Sequence, residues 1–82
     1  MEFLQARYDR RKSFYNKAKI IRDDDSIRLQ SYDTIVAEIK DKTLYIYGKW
    51  SQTTTRHQLE FIKQFTNLEL NSKDIYDRVI KL

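Results

Sequence analysis

The chain holds 82 residues, with 16 Lys and Arg against 12 Asp and Glu, a net charge of +4 and a mean hydropathy of −0.77. That length suits one domain spanning 1–82, and the absence of Cys excludes a disulfide scaffold, a Cys-based zinc site and thiol chemistry. No apolar run approaches the roughly 18 residues of a membrane span, and residues 1–22 lack a signal-peptide core, so a cytoplasmic protein is expected.

In chain order, Phe3 to Tyr8 alternates weakly and predicts a short edge strand. The charged run Asp9-Arg10-Arg11-Lys12-Ser13 predicts a turn. From Phe14 to Arg22 the period is two, with Phe14, Ala18 and Ile20 on one face and Tyr15, Lys17, Lys19 and Ile21 on the other. Asp23-Asp24-Asp25-Ser26 predicts a solvated hairpin tip, since an EF-hand loop needs a Gly and a closing Glu that are missing. Ile27, Leu29 and Ser31 open a strand whose phase changes near Tyr32, predicting a bend or bulge, after which Ile35, Ala37 and Ile39 point inward. Lys40-Asp41-Lys42 leads into Thr43–Trp50, where Leu44 and Ile46 alternate with Tyr45 and Tyr47. The lone Gly48 marks a bulge or a close backbone approach.

The period switches at Ser51. Ser51 or Thr53 is positioned to cap a helix running to about Thr66, with Leu59, Phe61, Ile62 and Phe65 as its apolar stripe and Arg56, Glu60, Lys63 and Gln64 facing away. Asn67 stands at its expected C-cap. Asn71 and Asp74 resemble a capping box for a second, C-terminal helix presenting Ile75, Val79 and Leu82. The expected fold is α+β: an antiparallel meander of four or five strands, one helix on one face, and a short C-terminal helix. Leu44 and Ile46 should meet Leu59, Ile62 and Phe65 in the core.

Chemistry-bearing patterns are sparse. His57, the only histidine, has no Ser, Cys or carboxylate at motif spacing and reads as a helix-surface residue. No catalytic, metal or cofactor residues are expected, and no enzyme activity.

Charge is more informative. Residues 1–22 carry seven cations against two carboxylates, while the rest of the chain carries nine against ten. Arg10, Arg11, Lys12, Lys17 and Lys19, with Tyr15, Tyr45 and Tyr47, are the candidate partner-binding residues. Edge-strand protection explains the same cations, and a covered sheet face explains the same tyrosines. Tyr15, Tyr32, Tyr45, Tyr47 and Trp50 are read mostly onto the face opposite Leu44 and Ile46, which suits base stacking or a protein interface. With too few helical residues to cover that face, a symmetric dimer is also expected.

Three segments carry a resemblance: Tyr8 to Ala18, Leu29 to Ala37, and Trp50 to His57 followed by Glu60 to Gln64. Their order, with Ser31-Tyr32-x-Thr34-x-Val36-Ala37 and Thr53-Thr54-x-Arg56-His57 as the most specific parts, resembles a family of small uncharacterised proteins from phages, plasmids and prophages of Gram-positive bacteria. The resemblance implies a mobile-element origin and supplies no established activity. By analogy with small phage proteins that lack catalytic residues and act by binding, the expected role is to bind and inhibit a host macromolecule, an anti-CRISPR inhibitor of a Cas nuclease being the specific expectation. The alternative is a small DNA- or RNA-binding regulator using the basic N-terminal strands and the Tyr face. A likeness of topology alone links the meander and helix to the arm-binding domains of phage integrases, without their basic central strand.

Overall fold

Four hydrophobic alternations and two helical stripes become, among the described residues, six strands and one helix. The computed structural model describes residues 2–9, 14 and 16–82. Its elements are β1 (Glu2–Phe3), β2 (Ala18–Arg22), β3 (Ser26–Ser31), β4 (Thr34–Lys40), β5 (Thr43–Ile46), α1 (Gln52–Phe65), a single 3₁₀ turn (Ser72–Asp74) and β6 (Arg78–Lys81). The strands pair antiparallel in sequence order, β1-β2-β3-β4-β5-β6, as an open sheet. The α+β expectation therefore holds, with more strands than expected.

Period-two alternation explains why β2 to β5 form. Their inward residues are Ala18, Ile20, Leu29, Ala37, Leu44 and Ile46, all at 2% exposure or less. Against them α1 sets Phe61 and Ile62, both fully buried, and each such side chain adds about 1.5–3 kcal/mol by leaving water. Leu44, Ile46 and Ile62 thus form the core as expected, while Leu59 and Phe65 pack at its margin. Phe14 joins this inner layer, as does Ile75 from the C-terminal segment.

Three expectations change. The strand read through Tyr32 is two strands: Ser31 pairs with Thr34 across a tight turn, and Tyr32 takes φ +56°. The phase change comes from this turn and from a register shift between Leu29 and Gln30, opposite which Val36 is extra. A bulge turns two successive side chains to one side, so Val36 and Ala37 are both buried and Ile35, paired with Gln30, goes outward.

The C-terminal helix is replaced by a strand. Asn71 and Asp74 do form the capping box, but it caps only the 3₁₀ turn, and Arg78–Lys81 then pairs with β5. The open edge of β5 offers backbone partners that a short isolated helix lacks. At the other end, β1 is two residues long, and the chain leaves the sheet at Leu4 to cross towards α1.

Helix α1 starts as expected. Ser51 is the N-cap, its Oγ accepting from Thr54 N–H at 3.3 Å. It ends one residue before the expected cap, at Thr66, whose hydroxyl donates to Ile62 C=O at 2.7 Å. No helix among the described residues is long and apolar enough to cross a membrane.

Candidate binding face

Register decides what the far side of the sheet presents. One row runs across five strands: Ile21, Arg28, Glu38, Tyr45 and Val79. A neighbouring row holds Lys19, Gln30 and Ile35, and on the other side lie Lys40, Thr43 and Lys81. Among the described residues no element covers this face. Helix α1, Leu68, Leu70 and Ile75 all pack on the opposite one.

The centre of the face is held by a polar chain. Arg28 Nη2 lies 2.7 Å from Asp23 Oδ2, and its Nε donates to Glu38 Oε2 at 3.2 Å. Tyr47 donates its hydroxyl to Glu38 Oε1 at 2.8 Å, and its ring stacks on Tyr45 with centroids 6.3 Å apart. Burial, the bond to Glu38 and the carboxylate's charge push the Tyr47 hydroxyl up to about 12. Glu38 thus holds Tyr47 neutral and oriented, and the Tyr47 ring fixes Tyr45 in turn. Lys19 and Lys81 form no ion pair among the described residues, so cations flank an aromatic and aliphatic centre.

The expected site residues divide. Lys19, Tyr45 and Tyr47 share this face, Lys19 being about 14 Å from the tyrosine strand at three strand spacings. Lys17 is exposed just before β2. Arg10, Arg11, Lys12 and Tyr15 lie outside the described residues. Tyr32 and Trp50 leave the face. Tyr32 stands at the β3–β4 turn with its ring 6.1 Å from His57, and Trp50 lines a cleft with Gln52, Thr55 and Leu59 of α1. Gly48 explains the latter: its φ of +81° turns the chain back, and Trp50 Nε1 donates to Tyr47 C=O at 2.7 Å. Ile21 shares the face with Lys19 as expected, while Ile35 and Val79 join it unforeseen, Val79 because its segment was read as helical.

His57 is not on the surface. It is 1% exposed, its Nδ1 lies 2.8 Å from Ser31 Oγ, and Ser31 Oγ is 3.0 Å from Thr54 Oγ1. Phe14 meets the imidazole edge-on at 4.7 Å. Burial holds its pKa below the ordinary value; Asp9 pulls it up and Arg56 pushes it down. A hydroxyl beside an imidazole resembles a nucleophile and base, but Ser31 is only 3% exposed and packed under α1. The cluster ties helix to sheet.

Glu60, read as facing away, is also buried. Its Oε1 accepts from the backbone N–H groups of Tyr8 and Asp9 at 2.8 and 2.9 Å. Arg56 grips Asp9 in a bidentate pair, Nη2 to Oδ1 at 2.7 Å and Nε to Oδ2 at 3.1 Å. The segment leaving β1 is thereby strapped to the flank of α1.

The architecture defines an α+β protein with one helix-covered and one open sheet face. The chain belongs to a family of unknown function (DUF8033), whose model matches residues 3–78. No curated protein and no solved structure matches it.

Proposed function

We propose that this is a non-enzymatic binding protein that docks a host macromolecule through the open face of its sheet. The observation that carries the reading is the uncovered row Ile21, Arg28, Glu38, Tyr45 and Val79, with Tyr47 oriented by Glu38 and cations at both ends. Tyrosine is a typical interface anchor, and the pairing of Arg28 with Asp23 and Glu38 lowers, without removing, the desolvation cost of covering the centre. The sequence resemblance supports a mobile-element origin, and the analogy with small non-catalytic phage proteins supports an inhibitor acting in the host cytoplasm, with a Cas nuclease as the specific target. Lys17, Lys19 and the net charge favour the second reading, a DNA- or RNA-binding regulator.

The experiment is a pull-down from host extract, with and without nuclease treatment, using wild type and Tyr45→Ala/Tyr47→Ala. Circular dichroism checks that both are folded. A protein retained after nuclease treatment by wild type and lost by the double variant supports the inhibitor. Retention that disappears on nuclease treatment supports the regulator. Equal capture by both variants removes the face from the site.

A further inference from the structure

Strand β6 forms one edge of the sheet, and its backbone polarity follows from its register. Leu82 N–H donates to Lys42 C=O at 2.8 Å, Thr43 is opposite Lys81 and Leu44 opposite Ile80. Hydrogen-bonded pairs alternate in an antiparallel ladder, so Arg78 and Ile80 turn their backbone groups to β5. Those of Val79 and Lys81 point to the open edge. The Val79 side chain is 61% exposed, and Tyr76 and Leu82 beside it are 48% and 47% exposed.

We infer that this edge pairs with the same edge of a second copy, antiparallel, about a two-fold axis at Val79. The choice of partner rests on charge. With the axis at Val79, Val79 meets Val79 of the second copy, and Lys81 comes alongside Asp77 of the second copy, in the bend that leads into β6, twice by symmetry. On the helix side Arg78 falls opposite Ile80, and Tyr76 comes alongside Leu82. Centring the axis on Arg78 or on Lys81 puts like charges together, and centring it on Ile80 leaves Val79 opposite Lys81. Only the Val79 register joins opposite charges without opposing like ones, and cross-strand pairs of that kind are the unit of sheet stabilisation. Such an axis is perpendicular to the sheet, so both helices stay on one side. The two open faces then join into one twelve-stranded surface, with Tyr45 and Val79 of each copy near its centre. The pairing does not depend on what that surface binds.

The test is molar mass by light scattering and sedimentation, from micromolar to millimolar protein. Wild type is expected to reach twice the 10.0 kDa chain mass. Lys81→Asp sets carboxylates against Asp77 and is expected to weaken the dimer roughly tenfold. The swap Asp77→Lys/Lys81→Asp is expected to restore it. Val79→Pro removes only an edge-facing N–H, leaving the β5 ladder intact, and is expected to give a monomer of unchanged circular dichroism. A 10.0 kDa species at every concentration, a dimer indifferent to Lys81→Asp, or a swap that fails to restore association overturns the proposal.

Discussion

Ser31 Oγ stands 2.8 Å from Nδ1 of His57, joining the end of β3 to the first half of α1 across 26 positions of sequence. The imidazole it meets is buried, and burial disfavours the imidazolium. The folded pKa therefore lies below the unfolded value of about 6.5. Below that value the unfolded chain binds more protons than the folded one, so His57 opposes folding increasingly as pH falls. Its neutral contribution is complete above the unfolded pKa and declines as pH drops towards the folded one. Urea melts through that window are expected to show an acid loss of stability that His57→Gln reduces. A slope unchanged by His57→Gln would show that the ring titrates as it does in the unfolded chain.

The strap along α1 has a sharper dependence on one side chain. Glu60 is 2% exposed and accepts from two backbone N–H groups, those of Tyr8 and Asp9. Glu60→Ala leaves both donors without a protein acceptor. Because Tyr8 is exposed and Asp9 only half-buried, the expected loss is about 1 kcal/mol, the low end for an unmet donor. Glu60→Gln keeps an acceptor oxygen and is expected to lose less. Hydrogen exchange at Tyr8 and Asp9 should quicken in both, and more in the Ala variant.

How much of this could be read from the chain depends on which residues carry the pattern. The sheet face built from Ala18, Ile20, Leu44 and Ile46 is legible because apolar side chains alternate with polar ones. The buried stripe of α1 runs Thr54, His57, Gln58, Phe61 and Ile62, at helical spacing throughout. Its first half is polar. Thr54 Oγ1 and His57 Nδ1 meet Ser31, and Gln58 Nε2 donates to the carbonyls of Val36 and Gly48 at 3.0 and 3.3 Å, while His57 Nε2 and Gln58 Oε1 are buried without a hydrogen-bond partner among the described residues. Those partners are far away in sequence, so a reading guided by hydrophobicity finds only Phe61 and Ile62. The error at β6 has a different cause. Ile75, Val79 and Leu82 fit helical spacing, while Arg78 to Lys81 fits a strand equally well. In so short a segment the decision belongs to the unpaired edge of β5. The candidate face was legible in Lys19, Tyr45 and Tyr47 but not in Ile35, whose side depends on the Val36 bulge.

The β4–β5 turn offers a stabilising change. Asp41 and Lys42 have φ of +52° and +56°, the type I′ geometry of a two-residue hairpin. Asn and Gly adopt it with less strain, and Gly at Lys42 removes a Cβ that disfavours the left-handed region. Asp41→Asn/Lys42→Gly is expected to stabilise the fold by about 0.5–1 kcal/mol after the added entropy of the unfolded glycine. Denaturant melting measures it, and a lower midpoint would mean that the Asp41 and Lys42 side chains make contacts outweighing the backbone gain.

The last expectation concerns the open face itself. Tyr47 donates to Glu38, and the Tyr47 hydroxyl is pushed up to about 12 by burial, by that bond and by the carboxylate's charge. Between the unfolded value of about 10 and that raised value, the folded chain holds a proton that the unfolded chain has lost. This contribution to stability is complete below the unfolded pKa and disappears as pH rises towards the folded one. Ultraviolet titration of the tyrosines is therefore expected to show one late phenol, missing in Tyr47→Phe and shifted to lower pH in Glu38→Gln. Glu38→Gln also removes the acceptor charge that Tyr47 and Arg28 share, loosening the Tyr47 ring while Asp23 still holds Arg28. Partner affinity measured beside the titration then separates two roles for Tyr47. If the face binds through an oriented ring, affinity falls in Glu38→Gln and much less in Tyr47→Phe/Glu38→Leu, where an apolar contact replaces the polar one. If the hydroxyl itself meets the partner, Tyr47→Phe alone is sufficient to weaken binding.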